Sequence, residues 1–431
     1  MMNKDKYIPQ GYKPSPFGII PEDWEVKKLG EVCAFLRTNT LSRNQLNDMN
    51  GDIHNIHYGD VLIKYPSIID VQKQAIPFIN SEDYRESMND FIEDGDIVLA
   101  DTAEDETVGK ACEIANIGSE KILSGLHTML IRPQKGLFFP CFLGYQVNSV
   151  SYRKQLQALI QGIKVCSLGK QAIANTYFAV PPLPEQQRIV SVLSLWDTAI
   201  AKQTALIEKL TLRKRGLMQQ LLTGKKRLEG FCGEWKEVRL GDVASINRGG
   251  SPRPIEQYLT KGEGFNWIKI GDVGVNAKYI TSTEEKIIKE GLSKTRFVKS
   301  GDFILSNSMS FGRPYILKID GCIHDGWLVI QEYDKTFNID FLYYILGYDT
   351  TLAQYKSMAA GSGVLNLNKE IVKEVLLKIP PINEQKAIAS ILVNADKEIE
   401  LANEKLVRLQ EEKRGLMQVL LTGKKRIINK I

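Results

Sequence analysis

Few residues of this chain are placed to make or break covalent bonds. His54 and His57 stand close in sequence, but no cysteine is adjacent and the chain has only four histidines; a zinc site needs three or four such ligands. The six cysteines, at 33, 112, 141, 166, 232 and 322, contain no C-x-x-C pair, which argues against a disulfide framework and a cysteine metal site. Residues 93–110, EDGDIVLADTAEDETVGK, could be imagined as a nuclease carboxylate cluster, but read more simply as a strand running into a solvated loop. TGKK at 223–226 lacks the upstream glycine and the following Ser/Thr of a phosphate loop; a helix cap with a basic tail explains it. What remains is recognition chemistry: Arg, Lys, Asn and Gln on Gly/Ser-bearing loops such as RTNTLSRNQLN and NRGGSPRP.

The elements that would position such loops occur twice. Residues 214–227 read KRGLMQQLLTGKKR and residues 413–426 read KRGLMQVLLTGKKR, a shift of 199 with one difference, Gln220 against Val419. At the same shift PPLPEQQRI, from Pro181, lies on PPINEQKAI, from Pro380, and Tyr145 on Tyr344. Further upstream the shift drifts, as loops of unequal length require: Trp24-x4-Leu29-Gly30-Glu31-Val32 matches Trp235-x4-Leu240-Gly241-Asp242-Val243, and Gly59-Asp60-Val61 matches Gly271-Asp272-Val273. The chain is a tandem duplication, and the sequence between these anchors has diverged, as in two readers of different ligands. The implied organisation is an N-terminal segment (1–23), a globular domain (24–180), a helical segment (181–228), a second globular domain (229–379) and a second helical segment (380–431).

The net charge is +5 over 431 residues, but it is unevenly spread. Residues 24–180 carry 15 Lys/Arg against 19 Asp/Glu, whereas 181–228 carry 9 against 3 and 380–431 carry 10 against 7. The basic excess sits in the repeated helical segments, so a polyanion contacted by the globular parts must meet local patches. No apolar run approaches membrane-span length, and the N-terminus lacks the apolar stretch of a signal peptide; the cytoplasm is the expected compartment.

Each helical segment opens on prolines followed by Glu-Gln and ends at Thr-Gly, start and stop signals of an α-helix. Between them apolar residues alternate by four and three: Ile189, Leu193, Trp196, Ile200, Ile207, Leu210, Leu217 and Leu221 in one copy, and Ile388, Leu392, Ala395, Ile399, Ala402, Leu406, Leu409, Leu416 and Leu420 in the other. Gln203 interrupts the first, and Lys214 and Lys413 interrupt both. This is a heptad seam over roughly four heptads. The two helices are expected to pair with each other; the seam alone leaves parallel and antiparallel pairing open.

The paired PPLPEQQRI and PPINEQKAI segments, the KRGLMQ-x-LLTGKKR endings, the two W-x4-L-G-[ED]-V starts, the opening GIIPEDWEVKKLGEV and the stretch NWIKIGDV together resemble the specificity subunit of type I restriction–modification systems over essentially the full length. The resemblance implies a mixed α+β fold: two similar target recognition domains, separated by two long helices packed as an antiparallel coiled coil, with approximate internal two-fold symmetry. It implies that each domain reads one half of a split double-stranded DNA site, that the helices set the gap, and that the subunit is not itself catalytic. The implied partners are two methyltransferase subunits, which use S-adenosylmethionine to methylate adenine at N6, and two restriction subunits that use ATP and magnesium. No cofactor is expected in this chain, which lacks the Asn/Asp-Pro-Pro-aromatic motif of such a methyltransferase.

Base readout needs Arg, Lys, Asn or Gln on loops or strand ends. In the first domain the candidates are Arg37, Asn39, Arg43 and Asn44, with Lys64, Tyr65, Lys73 and Gln74 in KYPSIIDVQKQ. In the second they are Arg248, Arg253, Lys269, Asn307, Ser308 and Arg313. Residues repeated between diverged copies suggest a repeated partner: Lys214, Arg215, Lys225 and Lys226, with Lys413, Arg414, Lys424 and Lys425, are candidates for docking methyltransferase subunits, although they also complement helix dipoles. Two rival readings stand against DNA recognition: an adapter that joins proteins without binding DNA, and an enzyme of unfamiliar type.

Overall fold

The computed structural model describes residues 8–16, 18–84, 90–162, 164–274, 277–307, 311–360 and 367–427. The chain forms two compact units, Met1–Thr204 with Lys405–Ile431, and Ala205–Glu404. The cut falls inside both long helices and not at the ends of the helical segments. Each unit therefore holds the first half of one helical segment and the last half of the other.

In the first unit a five-stranded sheet has the order Cys33–Leu36, Thr128–Pro133, Ile97–Ala100, Ala111–Ala115, Ile68–Asp70. All its pairs are antiparallel except the last. Ile97–Ala100 (IVLA) is buried at every position, the continuous apolar run of a strand covered on both faces. A smaller sheet has the order Ile122–Ser124, His54–Ile56, Phe78–Ile79, Leu46–Asn47, its first pair parallel. The second unit repeats the plan. Its larger sheet runs Ser245–Arg248, Trp327–Gln331, Phe303–Ser306, Pro314–Leu317, Tyr279–Ile280, again with only the last pair parallel. In its smaller sheet Gly321–Ile323 pairs in parallel with Phe265–Ile268, and Arg296–Val298 adds an edge strand. Both Trp-x4-Leu-Gly starts become a short strand, Glu25–Lys28 or Lys236–Arg239, paired with the strand that leads into the helical segment of that copy.

The helical segments form α1 (Leu183–Leu221) and α2 (Ile382–Leu420), 39 residues each. Gly224 and Gly423 terminate them at φ +69°, a left-handed conformation that costs glycine little. Every seam residue named from the heptad pattern is buried or half-buried. In the first unit Ile189, Val190 and Leu193 share a core with Leu420, Leu421, Trp24 and Tyr145. In the second, Ile388, Ala389 and Leu392 share one with Leu221, Leu222, Trp235 and Tyr344.

Polar pairs fix the helix direction within each unit. Glu185, 4% exposed, pairs with Arg426, and Asp197 further along α1 pairs with Lys413, earlier in α2. The packing is antiparallel. The second unit repeats both pairs at the shift of 199: Glu384, fully buried, with Arg227, and Asp396 with Lys214. Tyr145 donates to Asp197 (2.6 Å), Tyr344 donates to Asp396, and the two lysines lie over these rings, 5.1 and 5.6 Å from the centroids. The buried amides of Gln186 and Gln385 also match, each accepting from a backbone N–H (of Phe139 or Asn338) and donating to two carbonyls. Each of these four ion pairs joins one copy to the other, so the repeats complete each other's cores.

Candidate nucleic-acid interface

In the second unit two loops, the one following strand Ser245–Arg248 and the one following strand Phe303–Ser306, reach Asp325, in the turn between strands Gly321–Ile323 and Trp327–Gln331. The Asp325 backbone carbonyl accepts from Arg248 Nε (3.0 Å) and Asn307 Nδ2 (3.1 Å). Its carboxylate accepts from Ser251 Oγ (2.8 Å) and stands 3.8 Å from the Arg253 guanidinium and from His324 Nδ1. The Ser251 hydrogen bond, with the nearby Arg248 guanidinium, holds the Asp325 carboxyl below its ordinary range. Burial pushes His324 down, which favours the neutral imidazole, and His324 Nδ1 accepts from Gly326 N at 2.6 Å. Beside this cluster lies a cleft of about 880 Å³ walled by Pro252, Pro254, Ile255, Leu259 and Trp267, with Arg253, Lys269, Glu256 and Glu285 at its edges. The Gly249–Gly250 turn lets the loop pass close to the neighbouring chain; a Cβ on Gly249 would lie 2.1 Å from the His324 carbonyl oxygen.

The matching corner of the first unit uses the same frame with different side chains. The N–H of Leu168 bonds the Asp101 carbonyl (2.9 Å), and that of Leu367 bonds the Asn307 carbonyl (2.8 Å), so Asp101 and Asn307 occupy one place. His57 and Lys269 are likewise equivalent, each two residues before Gly-Asp-Val. His57 Nδ1 accepts from Gly59 N, and burial lowers its pKa. Tyr58 lies between His57, tilted against it at 4.5 Å, and His127, which it meets edge to face at 5.4 Å. Thr102 Oγ1 donates to Asp101 (2.8 Å) and lies 3.4 Å from His127 Nδ1. Arg43 bridges to Asp60 (2.8 Å). Where the second unit carries Lys269 and Asn307, the first carries His57 and Asp101.

The structure sorts the sequence-named candidates. Arg37, its side chain 79% exposed and braced by Asp90, and Asn44 are exposed, and Arg43 is tied to the first corner through Asp60. Lys64, Lys73 and Gln74 lie apart from it, around the strand Ile68–Asp70; Lys64 donates to the Ala75 carbonyl and Lys73 pairs with Asp70. Arg248, Arg253 and Lys269 gather at the second corner, Lys269 paired with Glu285 (3.0 Å). The half-buried Arg313 stacks over Tyr315. Three candidates are corrected. Tyr65 is 2% exposed and its hydroxyl donates to Ala75 O, so its ring is core. Asn39 is buried, donating to Asn55 Oδ1 (2.6 Å) and accepting from Leu41 N. Asn307 is buried behind Asp325. All three brace the loops and cannot meet a base edge in this conformation. Ser308 lies outside the described residues. The sequence reading missed Asp325, His324 and the Tyr58–His127 pair, which are isolated residues in the sequence.

Of the eight helix-end candidates, Lys214 and Lys413 are also corrected: they are spent on Asp396 and Asp197 within the fold. Arg215, Lys225 and Lys226, and their copies Arg414, Lys424 and Lys425, are exposed. Among the described residues no group of three or more His, Cys, Asp or Glu is arranged to hold a metal, and no helix is long and apolar enough to cross a membrane.

Comparison with known proteins agrees with this architecture. The chain matches the family described as type I restriction modification DNA specificity domain twice, over residues 21–212 and 233–411. It is 25% identical over 441 residues to the putative type I restriction enzyme MjaX specificity subunit of Methanocaldococcus jannaschii, covering 98% of each chain. It is 24% identical to the MjaVIII specificity subunit of the same organism, covering 95% of each. In fold it is similar to a chain from a study of complex assembly and conformational transition of a type I restriction–modification system (TM-score 0.62, 20% identity, 94% of this chain and 99% of that one). It is also similar to the S subunit of M. genitalium (TM-score 0.54, 14% identity, 92% and 96%). The chain belongs to the type I restriction–modification specificity-subunit family.

Proposed function

We propose that this chain is the non-catalytic DNA-reading subunit of a cytoplasmic type I complex, each unit reading one half of an asymmetric, two-part site. The observation that carries the reading is the repetition of one frame with two different rims. The sheets, buried glutamines and helix-pairing ion pairs recur at matched positions, while the corner changes: His57 and Asp101 stand where the second unit has Lys269 and Asn307, and the exposed Arg253 has the core residue Leu41 at its place. A protein needing two equal binding sites would have no reason to vary only the rims. Base-edge readout by Arg, Lys, Asn and His side chains on braced loops is the chemistry these rims suit.

The paired helices act as a ruler that fixes the unspecified gap between half-sites. The exposed repeated residues Arg215, Lys225 and Lys226, with Arg414, Lys424 and Lys425, offer two equivalent basic surfaces for two methyltransferase subunits. S-adenosylmethionine then belongs to those subunits, and ATP with magnesium to restriction subunits where these join. Co-expression with the cognate methyltransferase subunit in a host without DNA methylation, followed by genome-wide mapping of N6-methyladenine, tests the function. A single asymmetric motif in two parts with a constant gap is expected. A stable complex that methylates nothing would favour the adapter reading.

A further inference from the structure

We propose that Arg253, set beside the Asp325 carboxylate, reads a guanine in the half-site of the second unit and so fixes one base of the target. The inference rests on the DNA-reading function above. The Arg253 side chain is 84% exposed, yet its backbone stands between Pro252 and Pro254, whose rings restrict the loop. The loop is pinned again two residues earlier, where Ser251 Oγ donates to Asp325. The pinned loop fixes where the guanidinium is presented, and its two parallel N–H groups match guanine O6 and N7.

The charge around it separates a base from a phosphate. The corner holds Asp325, Glu256 and Glu285 beside Arg253, Lys269 and Arg248, so it is not an anion trap. A base-pair edge is uncharged and carries both kinds of polar group. In a G·C pair, guanine offers two acceptors and cytosine N4 a donor, and Arg253 with Asp325 is the complement of that row. The first unit has Leu41, a 5% exposed core residue, at the matching offset between its strand Cys33–Leu36 and short helix Arg43–Gln45. The guanidinium is thus a feature of the second rim and not of the shared frame.

The experiment is the methylation map of the assembled complex with wild type, Arg253→Ala and Arg253→Lys. At one guanine of one half-site, discrimination against other bases should fall by roughly tenfold or more in both variants. The other half-site and the gap should stay unchanged. Lysine keeps the charge but not the fork, so a phosphate contact would survive Arg253→Lys with the motif intact, and that result overturns the proposal. An unchanged motif in both variants also overturns it. If Arg253→Ala fails to assemble, Arg253→Lys alone decides. A wild-type complex that methylates no site would overturn the functional reading itself, and this inference with it.

Discussion

The ion pair between Glu185 and Arg426 closes the first unit by joining the start of α1 to the end of the second repeat, and its removal should be costly in a specific way. Glu185 is 4% exposed, and its carboxylate accepts from Arg426 Nε (3.1 Å), from Arg426 Nη2 (2.5 Å) and from Trp24 Nε1 (3.0 Å). Arg426→Met leaves this carboxylate with one neutral donor among Ile20, Ile189 and Leu421. An uncompensated buried charge costs about 3–5 kcal/mol. Removing both charges, Glu185→Met with Arg426→Met, should recover most of that loss, because the same principle makes apolar replacement of a whole buried pair nearly neutral. Asp23, 49% exposed on the other side of Arg426, is the control: Asp23→Ala should cost about 0–1 kcal/mol. Urea unfolding followed by circular dichroism and tryptophan fluorescence reads the wild type, the two single variants Arg426→Met and Glu185→Met, the double variant and Asp23→Ala. A cost below about 1 kcal/mol for Arg426→Met, or a double variant as damaged as the two singles added, would refute the reasoning.

Gly224 and Gly423 share φ +69°, but a Cβ on Gly423 would lie 2.3 Å from Pro21 Cδ, whereas on Gly224 its nearest neighbour would be Trp235 at 3.5 Å. Gly224→Ala should therefore cost about 1–2 kcal/mol of backbone strain, and Gly423→Ala at least about 1 kcal/mol more; thermal unfolding of the two variants ranks them, and equal losses would contradict the account. Burial pushes the Glu113 carboxyl up to about 7, against N–H groups of Gly144, Cys141 and Leu143 that favour its ionised form. Because this folded-state value lies above the ordinary 4.5, ionisation penalises the fold. Stability should fall as pH rises from about 4.5 to about 7, by up to about 3 kcal/mol, and level off above. Glu113→Gln should flatten that slope in unfolding midpoints measured across the range, and an unchanged slope would count against it.

The duplication, the seam and the mixed fold were legible because each leaves a local or periodic trace: an identical segment, a four-three spacing, an apolar run such as IVLA. What each lysine does was not. Lys214 and Lys413 look like free basic residues at helix ends, and their partners Asp396 and Asp197 belong to the opposite copy, a pairing that only the antiparallel fold creates. Burial inside loops was equally hidden. Asn39 and Tyr65 have reader chemistry in the sequence, yet Asn39 is used up by Asn55 and Tyr65 by the core. Asp325 escaped notice for the converse reason. It is a single acid in GCIHDGW, and its importance arises from Arg248, Ser251, Arg253 and Asn307 reaching it from two other loops.

The central claim is that two diverged rims on one repeated frame read two half-sites independently. Replacing residues 24–180 with the matching segment of another specificity subunit, and mapping N6-methyladenine made by the resulting complex, tests it most directly. The account predicts that one half-site changes while the other half-site and the gap persist. A change in both half-sites, or in neither, would contradict it.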